Sequence, residues 1–566
     1  MHVKVTRSGL RRYVQLVESF RDDDGRVRKR TVASLGRLDQ VGGSLDAVIN
    51  GLLKATGRSP ALAKDGAPDI QFESAKTLGS VWALHGLWQT LGFGELRRVF
   101  RRSRHRTDIE ALTRAMVFNR LCDPESKLGV LRWLETVALP DMPPEPITHQ
   151  QLLRAMDALI DKVDDVDKIV ASLLRPLIDQ DLSVIFYDLT TIRAEGVTTL
   201  PDDVRQFGRA KEGVIARQFV LGVVQTADGL PIYHEVFDGN VAETSTLLPT
   251  LTKVLSRFSS VRRLILVADR GLLSLDNLNA LKEVMLPSGE PLEFIVAVPG
   301  RRYSEFLKLL KPFHQKHCED AQEEVIGEES WESMRLILAH NPVTAAEQTS
   351  KRQTRIDELI REGDAWAGKL DEQDAGTRQR GRPLSDSGAK ARFFHAVAEA
   401  RLSRIIKVDL KSDEFSYDID EKALEHARMM DGKLLLVSNA ADLPAAEIIT
   451  RYKSLADIER GFRVLKSDLD IAPVYHRLPE RIRAHALICF IALVLHRVMR
   501  SRLASAGIGL SPDRALEQLQ RIQHHRIRIA EGDPVTGVSE ISKEQAGVFA
   551  ALGVRKPSTA TQLSLL

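Results

Sequence analysis

Hydrophobic and polar positions follow two different periods along this chain. Near the start, Tyr13-Val14-Gln15-Leu16-Val17 and Val27-Arg28-Lys29-Arg30-Thr31-Val32 flank Asp22-Asp23-Asp24-Gly25. Two β-branched runs around an Asp-Gly pair predict a hairpin, so residues 1–60 read as a small β unit. Ala61 to Pro68 predicts a linker, with an Asp-Gly pair and a closing proline. From 79 to 180 the apolar residues recur at helical spacing, as in Ile109, Leu112, Ala115 and Met116, and again in Leu152, Leu153, Met156 and Leu159.

From 181 to 300 the pattern becomes short apolar runs separated by helical stretches. The runs are Val184-Ile185-Phe186-Tyr187, Gln218 to Val224, Leu230 to Phe237, Arg263 to Ala268 and Leu292 to Val298, with helices at about 245–258 and 274–285. Asp228-Gly229 joins the second and third runs as a tight turn. The order β-β-β-α-β-α-β predicts an α/β core with a sheet of mixed direction. Residues 301–443 interrupt it with predicted strands at 335–338, 405–410 and 433–437 and a charged helix from Val343 to Leu370. They read as an inserted β-rich subdomain. Residues 444–505 return to two long helices, about 444–469 and 479–504, which complete the core. Residues 506–566 form a C-terminal tail with a helix near 515–522, a basic strand at 525–529 and a frayed end after Pro557.

A length of 566 residues calls for several domains. With 43% hydrophobic and 28% charged residues, the composition is that of a globular protein. The net charge of +3 points to no partner, but the basic residues are clustered. Residues 1–40 hold ten Lys or Arg against five Asp or Glu; a nucleic-acid contact and a charged edge strand both account for this. Arg97, Arg98, Arg101 and Arg102 belong to a run of six arginines between 97 and 106. Like charges at that density repel, which favours a phosphate-backbone contact over a solvated face. Arg380-Gly381-Arg382-Pro383 has the core pattern of a minor-groove arm, against a plain loop. Cys122, Cys318 and Cys489 are scattered and odd in number, which suits a reducing, cytoplasmic location. No zinc set is completed around His314, His317 and Cys318. The ten-residue apolar run 486–495 is too short to span a bilayer and predicts a buried helix.

The candidate chemistry rests on three acids. Asp188 and Asp269 each follow a strongly apolar run, where a sheet rim holds ligands; a helix cap is the other use of such an Asp. Glu459 lies in a predicted helix with Tyr452 and Lys466 seven residues to either side. Seven α-helical residues turn about 700°, within roughly 20° of two full turns, so the three share one face. Carboxylates at the ends of separate elements can bind hard divalent ions, and paired ions can activate a water or a 3′-hydroxyl at a phosphodiester.

Phe186-Tyr187-Asp188-Leu189-Thr190-Thr191, Val267-Ala268-Asp269-Arg270-Gly271 and Tyr452-x6-Glu459-x6-Lys466 resemble the three catalytic segments of bacterial insertion-sequence DDE transposases. The branch is the one whose last segment reads Tyr-x2-Arg-x3-Glu-x6-Lys. The blocks from Tyr233 to Thr244, from Asp470 to His476 and from Arg481 to His485 are similar to that branch as well. One departure stands in the signature: Leu455 occupies the arginine position. The resemblance implies an RNase H-like core with an inserted domain before the last acid, and the 190 residues between Asp269 and Glu459 leave room for it. It implies that Asp188, Asp269 and Glu459 bind Mg²⁺ (with Mn²⁺ as a substitute), and that Tyr452 and Lys466, with Arg463 and Arg270 nearby, contact DNA. It further implies a cut-and-paste DNA transposase acting as a homodimer on paired double-stranded DNA ends, with no membrane. A nuclease of the same fold that cannot join strands, and a DNA-binding protein that has lost its chemistry, are the alternatives.

Overall fold

The structure, a computed structural model, describes residues 2–8, 11–21, 27–37, 70–101, 107–178, 183–196, 200, 202–209, 215–272, 275–377, 384–529 and 533–558; the side chains of 457–459 are not among those described. The chain forms two compact units, Met1–Ala75 with His525–Gly537, and Lys76–His524 with Val538–Leu566.

In the first unit, strands β1 (His2–Ser8), β2 (Arg11–Arg21) and β3 (Val27–Arg37) make an antiparallel sheet. Arg21 stands opposite Val27, as the Asp-Gly signal requires; the turn itself, 22–26, lies outside the described residues. Val14 and Val17 are buried while Arg30 pairs with Glu18 at 2.8 Å, so the charged positions lie on the surface. Strand β4 (Ile70–Thr77) follows.

The second unit opens with helices Gly79–Leu91, Ile109–Cys122, Lys127–Thr136, His149–Asp161 and Val163–Leu174. Their starts are written in the sequence. Asp108 accepts from the Ala111 amide at 3.0 Å, and Thr148 and Gln151 form a capping box. The central sheet contains β5 (Ser183–Arg193), β6 (Gln206–Arg209), β7 (Ile215–Thr226), β8 (Pro231–Asp238), β9 (Leu264–Ala268), β10 (Glu293–Ala297), β11 (Val325–Trp331) and β12 (Met334–His340). Strands β13 (Ile406–Val408) and β14 (Tyr417–Ile419) pair only with each other, and β15 (Lys433–Ser438) rejoins the central sheet. The spatial order is β11-β12-β15-β10-β9-β5-β7-β6, with β8 also on β7. β5 runs parallel to β9 and antiparallel to β7. A hydrophobic core covers each face of the sheet.

The interval 301–443 corrects the expectation of a β-rich insertion. Leu336, Ile337, Leu338 and Leu435, Leu436, Val437 are buried without alternation, so their strands need cover on both faces and extend the central sheet. What lies between them is mainly helical: Pro342–Asp374, Asp386–Glu399 and Glu421–Met430. Asn341 caps the first of these, with Pro342 at its opening position. Ile356, Leu359, Phe393, Val397 and Leu424 form their own small core.

The expected single helix 444–469 is three pieces: Ala445–Lys453, Ala456–Arg463 and a π-helical turn Val464–Asp468. Helix Pro479–Ser505 is long and apolar enough to cross a membrane by length and composition. Within its most apolar window 94% of the residues are buried, so protein already covers it. Near the end come helix Pro512–Gln520, strands β16 (Gln523–Ile529) and β17 (Val535–Val538), and helix Lys543–Ala551. β16 pairs with β4, and Arg526 and Arg528 both bond Glu73. Residues 559–566 lie outside the described residues.

Candidate catalytic site

The parallel register of β5 on β9 runs from Ser183 opposite Leu264 to Tyr187 opposite Ala268. The next position on each strand is an aspartate, Asp188 and Asp269. Their backbones are therefore neighbours at the usual strand spacing of about 4.8 Å. Asp188 does not end its strand as expected: β5 continues to Arg193 against β7, because Thr190, Thr191 and Ile192 keep the extended pairing. Only the parallel pairing with β9 stops there. Val184, Phe186, Ile265 and Val267 face one core, while Ile185, Tyr187, Leu266 and Ala268 face the other. The alternation puts Asp188 and Asp269 on the first face. Both are half-buried.

Helix Ala456–Arg463, which carries Glu459, packs against β5. Its neighbours Leu455, Phe462, Val464 and Leu465 belong to that same first core. The Glu459 side chain itself is outside the described residues. Tyr452, on the preceding helix, donates its hydroxyl to Asp269 Oδ1 at 3.0 Å. Burial, reinforced by the charge of Asp269, pushes that phenol well above its ordinary range, so it stays a donor. Arg270 stands beside Tyr303, Tyr452 and Asp269, and their influence outweighs burial to hold its guanidinium above its ordinary value. Glu243 lies against Gly271, where a Cβ would come 2.0 Å from its carboxylate. Glu243, Thr244, Arg270 and Gly271 line one cavity, so two separate sequence blocks meet beside the acids.

Lys466 is half-buried within the π-helical turn, and Arg463 is exposed at the end of the helix before it. The π geometry alters the phase between Glu459 and Lys466, so the one-face argument for an unbroken α-helix does not carry over. Leu455, at the family's arginine position, sits in the core at the break between the two helices. Lys453 bonds Glu324 at 2.6 Å.

The arginine cluster divides. Arg97 pairs with buried Glu110 at 3.2 Å and with Asp108 at 3.4 Å. Glu110 also receives Trp88 and Arg114, so Arg97 is tied into the fold. Arg98 pairs with Glu95, and Arg101 is exposed. Arg102, Arg380 and Arg382 lie outside the described residues.

Sequence reading missed Arg120 and Lys127. They line a cavity with Tyr475, His476, Arg481 and His485 of the later family blocks. Burial, then the nearby charge of Arg120, brings the Lys127 ammonium down to about 7. Nothing local marks them: they are brought there by Val474 pairing with Ala194 and by Arg120 bonding the Asp470 carbonyl.

Residues 179–495 match the family model for the transposase DDE domain, and residues 2–65 match that for the N-terminal domain of IS1634 family transposases. The first match spans more than half of the chain, and the chain belongs to the DDE transposases. It is an insertion-sequence DNA transposase, an enzyme of a divalent-metal-dependent class that acts on DNA. No curated protein matches it. Among solved structures, the piggyBac transposase synaptic complex with hairpin DNA aligns at 8% identity and a TM-score of 0.39, over 78% of this chain and 79% of that one. That likeness adds nothing to the assignment.

Proposed function

We propose that this transposase binds the terminal inverted repeats of its own element, hydrolyses the 3′ phosphodiester at each end and joins the freed 3′-hydroxyl to target DNA. The observation that carries this reading is the register of β5 on β9, which makes Asp188 and Asp269 neighbours on one face. Glu459 is the third acid, on a helix packed against β5. Half-buried carboxylate oxygens on adjacent strands fit a hard ion, and Mg²⁺, replaceable by Mn²⁺, is the assignment. Bound there, it would lower the pKa of the attacking oxygen and offset charge on the leaving one.

The chain's own residues do the rest. Tyr452 fixes the Asp269 carboxylate by hydrogen bond. Lys466, Arg463 and Arg270 hold the phosphates of the terminal strand. Arg98 and Arg101, with Arg102, Arg380 and Arg382, add backbone contacts from the helical region 79–180 and from 378–383. An antiparallel β5-β7-β8 meander followed by parallel β9 and β10 supports an RNase H-like core. The enzyme works as a homodimer on paired ends, in the cytoplasm, at the nucleoid.

The test uses duplexes carrying the element's end, a supercoiled target and Mg²⁺. Wild type should nick the end and join it to the plasmid. Asp188→Asn and Asp269→Asn should bind the end normally and cut about a thousandfold more slowly, the upper end of the scale for loss of a charge-stabilising group in a reacting site. Nicking without joining would leave a nuclease. End binding without any nicking by wild type would leave a DNA-binding protein.

A further inference from the structure

We infer that the chain holds a second divalent-cation site, formed by Asp468, His496 and Asp513 and separate from the acids on β5 and β9. Asp468 closes the π-helical turn that carries Lys466, His496 lies on Pro479–Ser505, and Asp513 is the second residue of Pro512–Gln520. One donor atom from each comes within 4.8 Å of the other two. These three elements therefore meet at a single point.

The imidazole carries the argument. His496 is 2% exposed, and among the described residues neither ring nitrogen has a partner within hydrogen-bond distance; its neighbour Asp513 has its carboxyl held below the ordinary range, first by the imidazole beside it. A buried polar group left unbonded is costly and calls for an explanation. Its Nε2 stands 3.9 Å from Asp513 Oδ2. That is too long for a hydrogen bond. It is close to the roughly 3.4 Å between two ligands on a tetrahedral ion with 2.0–2.2 Å bonds. A small inward movement of half-exposed Asp513 closes the gap. One imidazole with two carboxylates suits Zn²⁺ better than Mg²⁺, and water can complete the shell on the open Asp513 side. The other reading of the gap is a direct contact between His496 and Asp513 with no ion between them; Arg463 also acts on Asp468. A cation here would pin the Lys466 turn to two helices, a structural role that does not depend on the assignment of the catalytic acids.

The probe is Zn²⁺ itself, titrated into full-length, chelator-stripped protein carrying Asp188→Asn and Asp269→Asn, so that those acids contribute little. We expect one Zn²⁺ per chain, a tetrahedral Co²⁺ absorption band on substitution, and a rise in melting temperature. Asp513→Asn, at a half-exposed position, should weaken Zn²⁺ at least tenfold while circular dichroism stays unchanged, and His496→Gln should abolish binding. Absence of stoichiometric Zn²⁺, or an affinity unmoved by Asp513→Asn, would overturn the site.

Discussion

The two halves of the candidate catalytic site are positioned by different physics. Asp188 and Asp269 sit on adjacent parallel strands, where register is a whole number. The 81 residues separating them equal the offset of every paired position from Ser183–Leu264 to Tyr187–Ala268. A slip of one residue would turn both buried faces inside out, so the pairing is strongly specified. Tyr452, Glu459 and Lys466 instead lie along a backbone that breaks after Lys453 and widens into a π turn at Val464. Helical phase accumulates residue by residue and survives only while the helix is continuous. A strand register can thus be inferred from two apolar runs. A helical face cannot be inferred across a break that no proline announces. π turns are found frequently at functional sites, which makes the departure at Lys466 informative.

The largest expected effect beyond the acids themselves probes the helical half. Lys466→Ala should slow end cleavage about a hundredfold, the result of losing roughly 2–4 kcal/mol of charge stabilisation at a phosphate. Lys453→Ala should be near neutral for chemistry, because that ammonium is held by Glu324 at 2.6 Å. Equal cleavage rates for the two variants would remove Lys466 from the site. Tyr452→Phe probes the joint between the halves. It deletes the hydrogen bond to Asp269 and the hydroxyl's contact with Arg270, and should cost about 1–2 kcal/mol, or roughly tenfold in rate, with end binding retained. No loss would mean that Asp269 is oriented by the sheet alone.

The smallest effect concerns the block that follows the helical half, and it is read as stability. The folded chain releases the Lys127 proton near pH 7, while the unfolded chain keeps it to about 10.5. Between those values the unfolded state binds more protons, so this lysine makes stability rise with pH across the window. Below pH 7 both states hold the proton and the burial penalty is fully present. Lys127→Met should therefore stabilise the protein by about 1 kcal/mol or more at neutral pH and below. The gain should shrink toward pH 10.5. A gain independent of pH in urea denaturation would show that the ammonium is not desolvated.

Much of this architecture is legible in the chain itself. Asp-Gly between β-branched runs marks the first hairpin; Asp108 and Thr148 mark helix starts; the apolar runs before Asp188 and Asp269 mark the paired strands. What was not legible depends on distant partners. The strands at 334–340 and 433–438 are as apolar as the core strands, but only the sheet edge on β10 shows where they belong. Arg97 looks like its neighbours in a basic run, yet Glu110, thirteen residues on, claims it from a buried position. Arg120 and Lys127 meet Asp470 to His485 across more than three hundred residues. Local pattern contains no trace of such contacts.

The central claim is that Asp188 and Asp269 hold one metal centre. It is tested by counting Mn²⁺ ions per chain in the complex with end DNA, for wild type, Asp188→Asn, Asp269→Asn and the double variant. Each single substitution should lower the count, and the double variant should bind no fewer ions than Asp188→Asn alone. A wild-type count in Asp188→Asn, or independent losses that add in the double variant, would contradict a shared centre.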